Sequence, residues 1–285
     1  MSKPERITVL THQYPEETSE AIRHMIDYAT EAGVEVRLSD DEAEKHGIAS
    51  RDGVVLGADL DGDTDLVVVL GGDGTILTAL RQFAGQKAPV FAINYGAIGF
   101  LSTIDHGGLE DGMRRALSGD YELLKMPALS ASVQGSRRIG VNDISFHRRA
   151  NARVAELEYL VDGEQLGRVR CDGLVVSTPV GSTGYNLANG GPVLAWGVEG
   201  YVVSFIAPHT LTARALVVAP TDTLTVENTS DRDEVAISTD GRTVGRLEPG
   251  GRLDVSFSDD EVLLAQIPGA SFYHRFREKF GRLAY

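Results

Sequence analysis

Five apolar residues, Leu66-Val67-Val68-Val69-Leu70, run without a break into Gly71-Gly72-Asp73-Gly74-Thr75, and a helical pattern follows from Thr75 to Phe83. A buried strand therefore ends in a glycine-rich turn that opens a helix. This unit belongs to parallel sheets covered by helices and leaves few other folds open. Three glycines let the backbone approach a ligand and expose its N–H groups. The helix N-terminus behind them favours negative charge. Yet the loop holds a carboxylate, Asp73, and no lysine. A loop that cradles phosphate and also presents an anion suggests a proton acceptor or magnesium partner beside a transferring phosphoryl group. The plainer alternative is a tight strand-to-helix turn whose Asp caps the helix, since glycine-rich turns are common in α/β proteins.

The rest of the chain sets bounds on that reading. Its 285 residues suffice for two domains, each with its own core. No apolar run approaches the roughly 20 residues that a membrane span needs. Met1–Arg6 leads directly into the strand-like Ile7-Thr8-Val9-Leu10, so no signal peptide is expected. The single cysteine, Cys171, excludes an internal disulfide and suits a reducing cytoplasm. The seven histidines are scattered, without zinc-ligand spacing. The net charge of −14 argues against nucleic-acid or membrane-surface binding, which want basic patches. Only five of the 27 basic residues are lysine, and carboxylates crowd the stretch from Glu35 to Asp65. Low lysine with abundant Asp and Glu is similar to proteins of salt-loving organisms; an ordinary acidic cytoplasmic enzyme is the alternative.

Strand and helix alternate over residues 1–124. Ile7–Thr11, Val34–Leu38, 66–70 and 90–94 read as strands, and Glu17–Glu31, 75–83 and Gly108–Leu117 as helices. The acidic stretch from Ser39 to Thr64 reads as loop or weakly formed structure. Ligands on parallel sheets bind at the carboxyl ends of strands, where Asp73 sits. Residues 125–268 read as a β-rich domain. Ala155–Val161 and Glu164–Val169 flank Asp162-Gly163, a two-residue hairpin turn. Further short strands run from Leu174 to Gln266, the last being Val262–Gln266. The segment 269–285 carries Phe272, Phe276 and Phe280 at helical spacing, a docking stripe and not a ligand site.

Four clusters carry chemistry. The first is the Asp73 loop, where Gly71, Gly72, Gly74 and Thr75 are the expected donors to phosphate. The second is Asn94-Tyr95-Gly96-Ala97-Ile98-Gly99-Phe100-Leu101, which suits close backbone approach or is simply another turn. The third runs from Arg170-Cys171-Asp172-Gly173 to Asn189-Gly190-Gly191-Pro192. Its hydroxyls and glycines between Ser177 and Gly184 offer donors and acceptors to a polar ligand, and Tyr185 offers a ring to a base. A helix cap at Ser182 or Thr183 is the alternative there. The fourth is Asn142-Asp143, able to read the polar edge of an adenine or a sugar hydroxyl. Arg153, Arg170 and Arg242 are candidate anion partners. Asp240-Gly241 reads as a hairpin turn. There is no G-x-x-x-x-G-K-[ST], no G-x-G-x-x-G and no G-x-S-x-G.

Together, in order and spacing, these clusters resemble the NAD kinase family over Ile7 to Phe280. The Gly-Gly-Asp-Gly-Thr loop alone is shared with lipid kinases and phosphofructokinases. The run Asp172-Gly173 to Ser177-Thr178-Pro179-Val180-Gly181-Ser182-Thr183-Gly184-Tyr185 is far more specific. The resemblance implies a parallel-sheet α/β N-terminal domain, an all-β sandwich-like C-terminal domain and an active site between them. It implies a homodimer or homotetramer, with NAD and ATP or polyphosphate as substrates and a divalent cation, magnesium. It implies Asp73 as catalytic base and dinucleotide contacts at Asp73, Gly74, Asn142, Asp143, Arg153, Arg170, Asp172, Val180, Thr183, Gly184, Tyr185, Asn186, Leu187, Ala188 and Arg242. No protein metal ligand is named. Asp143 departs from the family's frequent Glu, and Val180 and Gly184 from its frequent Thr and Ala. Rival readings are a lipid or sugar kinase with the same loop, and a non-catalytic NAD-binding sensor, which would have no need of Asp73.

Overall fold

In the computed structural model of the protein, which describes residues 1–59, 63–95, 99–104, 108–149 and 154–281, the run Leu66–Leu70 is a strand buried at every residue. It belongs to the first of two units. Met1–Met126 and the chain from Glu261 onward form that unit, and Pro127–Asp260 forms the second. The first unit alternates β1 (Arg6–Thr11), α1 (Ser19–Glu31), β2 (Glu35–Leu38), α2 (Asp40–His46), β3 (Val54–Leu56), β4 (Leu66–Leu70), α3 (Asp73–Gln82), β5 (Val90–Ile93), α4 (Leu109–Ser118) and β6 (Glu122–Met126). Helix α1 buries Ala21, Ile22, Met25, Ile26 and Ala29, one stripe at helical spacing, against the sheet.

The first part of the acidic stretch after Ser39 is a helix and not a loop. Ser39 Oγ accepts the Glu42 N–H at 3.3 Å and caps α2, and Gly47 closes it with φ +59°. The carboxylates Asp40, Asp41 and Glu42 fill the first turn, where the helix dipole favours them. Buried His46 is held between Thr11 Oγ1 at 2.7 Å and Ser19 Oγ at 3.0 Å, and burial lowers its pKa.

The second unit consists of β7 (Leu129–Val133), β8 (Ser136–Gly140), β9 (Asp143–Arg148), β10 (Ala155–Val161), β11 (Glu164–Cys171), β12 (Gly173–Ser177), the single turn α5 (Tyr185–Ala188), β13 (Tyr201–Ile206), β14 (Leu216–Val218), β15 (Leu224–Asn228), β16 (Val235–Thr239), β17 (Arg242–Leu247) and β18 (Arg252–Phe257). The strands form two antiparallel sheets in the orders β11-β10-β15-β18-β7-β8 and β14-β13-β12-β9-β16-β17. Leu157, Val226 and Val255 of one share a buried core with Phe146, Val176 and Ile237 of the other. The Asp162-Gly163 hairpin has φ of +49° and +81°, and Asp240-Gly241 repeats it with +45° and +77°. Positive φ at both central residues matches the right-handed twist of the flanking strands. Cys171 is buried, which pushes its thiol up to about 12.

The chain then returns to the first unit as β19 (Val262–Gln266) and α6 (Phe272–Phe280). The expectation that Val262–Gln266 belongs with the β-rich domain is corrected. The strand lies beside β5 in parallel and pairs antiparallel with β6, completing the order β3-β2-β1-β4-β5-β19-β6. Its local pattern specifies a strand but not a partner, which long-range pairing decides. Among the described residues no helix is long and apolar enough to cross a membrane.

Candidate active site

At the carboxyl end of β4 the chain turns through Gly71 and Gly72 into α3. The Gly71 N–H donates to Ile93 O at 3.1 Å, so it stays in the sheet ladder and is not the phosphate donor expected of it. A Cβ at Gly71 would overlap Thr75, so this glycine makes room for the first turn. Thr75 and Ile76 donate to Gly72 O at 2.9 and 3.1 Å. The N–H groups of Gly72, Asp73 and Gly74 meet no acceptor among the described residues and form an anion-receptive helix start. Asp73 does not cap the helix. Its Oδ2 accepts the Phe100 N–H at 3.1 Å and its Oδ1 the Leu101 N–H at 3.3 Å. Gly99 lies so close that a Cβ there would run into the Asp73 carboxylate. The close approach in the second glycine cluster is therefore to Asp73. Its residues Gly96, Ala97 and Ile98 lie outside the described residues.

In the second unit the Asn142-Asp143 elbow opens β9, opposite Ser177 at the end of β12 and next to Thr239 at the end of β16. Asp240 sets the elbow. Its carboxylate accepts from Val141 N at 3.1 Å, Asn142 N at 2.7 Å and Asp143 N at 3.1 Å, and its own N–H donates to Asp143 O at 3.0 Å. The Thr178 N–H donates to Asn142 O at 2.9 Å and its hydroxyl to Val141 O at 2.7 Å. Gly181 presses on Asn142 O, leaving no room for a Cβ. The hydroxyl-and-glycine run thus wraps the elbow. Asp143 is only 6 % exposed, and its Oδ1 has no hydrogen-bond partner among the described residues. Burial, and then the charge of Asp240, push its carboxyl up to about 7. A buried acceptor left empty is costly, and a ligand hydroxyl or amine would satisfy it. The Asn142 side-chain amide likewise makes no bond to a described residue.

Asp172 precedes the other end of β12. Its Oδ1 accepts from Arg148 Nε at 2.6 Å. Tyr185 lies nearly parallel on His147, with ring centroids 5.7 Å apart and planes 9° apart. Tyr185 is 37 % exposed, and burial followed by the charges of Asp143 and Asp172 raises its phenol. The two ends of β12 are separated by roughly 13 Å at ordinary strand rise. Polar groups at both ends and an aromatic face beside them suit an elongated polar molecule.

Other expected positions fall elsewhere. Arg170, on the other sheet, is exposed and pairs with Glu156 at 3.2 Å. Arg242 opens β17 and is exposed. Arg153 lies outside the described residues. Val180 is buried, and the Thr183 hydroxyl donates to its carbonyl at 3.2 Å. Ser182 caps no helix; its hydroxyl donates to Pro179 O at 2.7 Å and accepts the Leu194 N–H at 2.9 Å. Asn186 is fully buried, and its amide donates to Ser182 O at 3.0 Å and Pro192 O at 2.9 Å, so it braces the loop from within. Gly184 and Ala188 are exposed and Leu187 is half-buried.

Sequence reasoning missed Asp240 and His147. Nothing local distinguishes an Asp240 that grips a distant backbone from an Asp that merely makes a turn. His147 did leave a signal, since Asp143, Ser145 and His147 alternate along β9 and so share one face.

An α/β unit whose glycine loop receives anions yet presents a carboxylate, in one chain with a β unit carrying a long polar cradle, is the build of a phosphotransferase with a large polar acceptor. Residues 8–121 match the ATP-NAD kinase N-terminal domain and residues 141–267 the ATP-NAD kinase C-terminal domain. The NAD kinase of Gemmatimonas aurantiaca is 36% identical over 223 residues, covering 76% of this chain and 77% of that protein. The NAD kinase of Syntrophotalea carbinolica is 34% identical over 225 residues, covering 77% and 79%. The chain belongs to the NAD kinase family. The crystal structure of an NAD kinase from Archaeoglobus fulgidus in complex with ATP is similar at a TM-score of 0.73 and 25% identity, covering 97% of each chain. Yeast NADH kinase complexed with NADH shares the fold at a TM-score of 0.90 and 24% identity, covering 99% of this chain and 89% of that one.

Proposed function

We propose that this protein transfers the terminal phosphoryl group of ATP or polyphosphate to the 2′-hydroxyl of the adenosine ribose of NAD, giving NADP. The observation that carries the reading is the Asp73 carboxylate, presented at a helix N-terminus without capping it. Phosphoryl transfer is mostly positioning and charge stabilisation. Asp73 accepts the proton of the attacking hydroxyl, a contribution of roughly 10²–10⁴-fold for a general base. The N–H groups of Gly72 and Gly74 and the Thr75 hydroxyl hold donor phosphates. Asn142 and the empty Oδ1 of Asp143 take polar groups of the nucleoside, Asp172 a further hydroxyl or amine, and Tyr185 a ring face. Arg153 and Arg242 neutralise phosphate. Val180, Gly184, Leu187 and Ala188 shape the cradle that Asn186 braces.

Among the described residues no three His, Cys, Asp or Glu are grouped as metal ligands. A magnesium ion would here be held chiefly by the donor's phosphates and water. When bound, the ion would neutralise charge on the donor oxygens. The same reading carries a homodimer or homotetramer, which light scattering measures, and a cytoplasmic setting in a salt-loving cell.

Purified protein given NAD with ATP or polyphosphate should form NADP, read by an NADP-specific dehydrogenase. It should leave diacylglycerol and fructose 6-phosphate unphosphorylated. Phosphorylation of either rival acceptor in place of NAD, or NAD binding without turnover with any donor, would overturn the reading.

A further inference from the structure

We propose that helix α6 is a positioning element for Asp73, acting through the backbone of Phe100 and Leu101; the inference rests on Asp73 being the base. The aromatic stripe of α6 closes on one ring. Phe100 meets Phe272 at 6.3 Å and Phe280 at 5.7 Å between centroids, and Lys279 Nζ lies 4.9 Å from the Phe100 centroid. Two residues further on, Arg275 Nη1 donates to Ser102 Oγ at 3.5 Å, while Nη2 donates to Gln266 Oε1 at 2.8 Å. The next residue is fixed by the sheet. Thr103 N donates to Ala92 O at 2.7 Å, and Thr103 Oγ1 donates to Ala265 O at 2.7 Å. The short segment is therefore tied to β5 and β19 at one end and to α6 at the other.

The two N–H groups that orient the Asp73 carboxylate belong to that segment. An Asp side chain has few rotamers, and two donors from consecutive residues fix which way its oxygens face. Where those donors stand depends on where the Phe100 ring stands. The ring's contacts with α6 are in part peripheral to the core: Phe272 is the helix's only buried residue, and Phe280 is 41 % exposed. Removing Lys279 and Phe280 therefore acts on Phe100 more than on the stability of the unit. A misplacement of about 1 Å in a reacting group costs on the order of 10²-fold in rate.

The test is the double variant Lys279→Ala/Phe280→Ala, followed by hydrogen exchange and by steady-state kinetics with NAD and ATP. We expect the amides of Phe100 and Leu101 to exchange about tenfold faster, with those of β4 unchanged. We expect kcat to fall about tenfold with the KM for NAD within about twofold. The conservative pair Lys279→Arg/Phe280→Tyr, which keeps the charge and the ring, should restore both readouts. Parental exchange and kcat in the double variant would overturn the proposal. So would faster exchange with unchanged kcat, and so would faster exchange spread over the whole unit, which would make the helix merely structural. Asp73→Asn is assayed in parallel: near-parental turnover there removes the base assignment, a failure that the exchange measurement does not share.

Discussion

Asp143 is the residue whose charge the fold accommodates least. Its carboxyl is buried, has one empty oxygen and faces the Asp240 carboxylate, so its folded pKa is raised to about 7. In an unfolded chain an Asp titrates near 3.9. Between those values the folded state holds the extra proton, so stability falls as pH rises through this window, and the full penalty applies above about pH 7. The penalty is roughly 4 kcal/mol at most, since each pH unit between the two values is worth about 1.36 kcal/mol. Asp143→Asn should therefore melt higher than the parent at pH 8 in the absence of substrate, with the gap narrowing as pH falls toward 4. A gap that is constant or widens at low pH would show that the buried charge costs nothing. The burden makes sense if a ligand donor fills Oδ1 during turnover. Asp240 holds the same elbow from across a hairpin, and such side-chain-to-backbone bonds between residues 97 to 99 apart leave no local trace in the sequence.

At the scale of elements, contiguity decides what a sequence reveals. The loop from Gly71 to Thr75 and the run from Asp172 to Tyr185 are unbroken stretches, and their chemistry is legible in the order of their residues. Strands such as Tyr201–Ile206 and Arg252–Phe257 are legible from apolar runs and turn residues. Helix α2 is hidden by its acidity, although Ser39 and Glu42 at capping-box spacing, with Gly47 after the last turn, mark its ends. The partner of β19 and the grip of Phe100 and Leu101 on Asp73 depend on tertiary pairing alone. Gly99 joins these scales. In Gly99→Ala the added Cβ must displace the Asp73 carboxylate. Swinging Asp73 aside breaks its bonds from the Phe100 and Leu101 N–H groups, so the melting temperature should fall by several degrees. Catalysis should suffer too, with kcat down on the order of 10²-fold. A Gly99→Ala enzyme within twofold of parental kcat would show that the close fit has no bearing on the reaction.

At the scale of the whole molecule, a net charge of −14 implies self-repulsion that opposes the compact state. The Debye length falls from about 30 Å at 0.01 M salt to about 3 Å at 1 M, which screens most of that repulsion. Surface ion pairs such as Arg51–Asp27 and Arg252–Glu227 weaken as well, but exposed pairs contribute only about 0–1 kcal/mol each. The melting temperature should rise from dilute buffer to molar potassium chloride. A flat or falling trend would defeat the halophile reading and leave the kinase reading intact. That reading depends on one carboxylate, and Asp73→Asn keeps its shape while removing the proton acceptor. The decisive measurement is the kcat of this variant with NAD and ATP, beside its affinity for NAD. Asp73 as the base requires kcat to fall at least about 10²-fold while NAD binding stays within roughly tenfold; a kcat near the parental value with NAD still bound would contradict it.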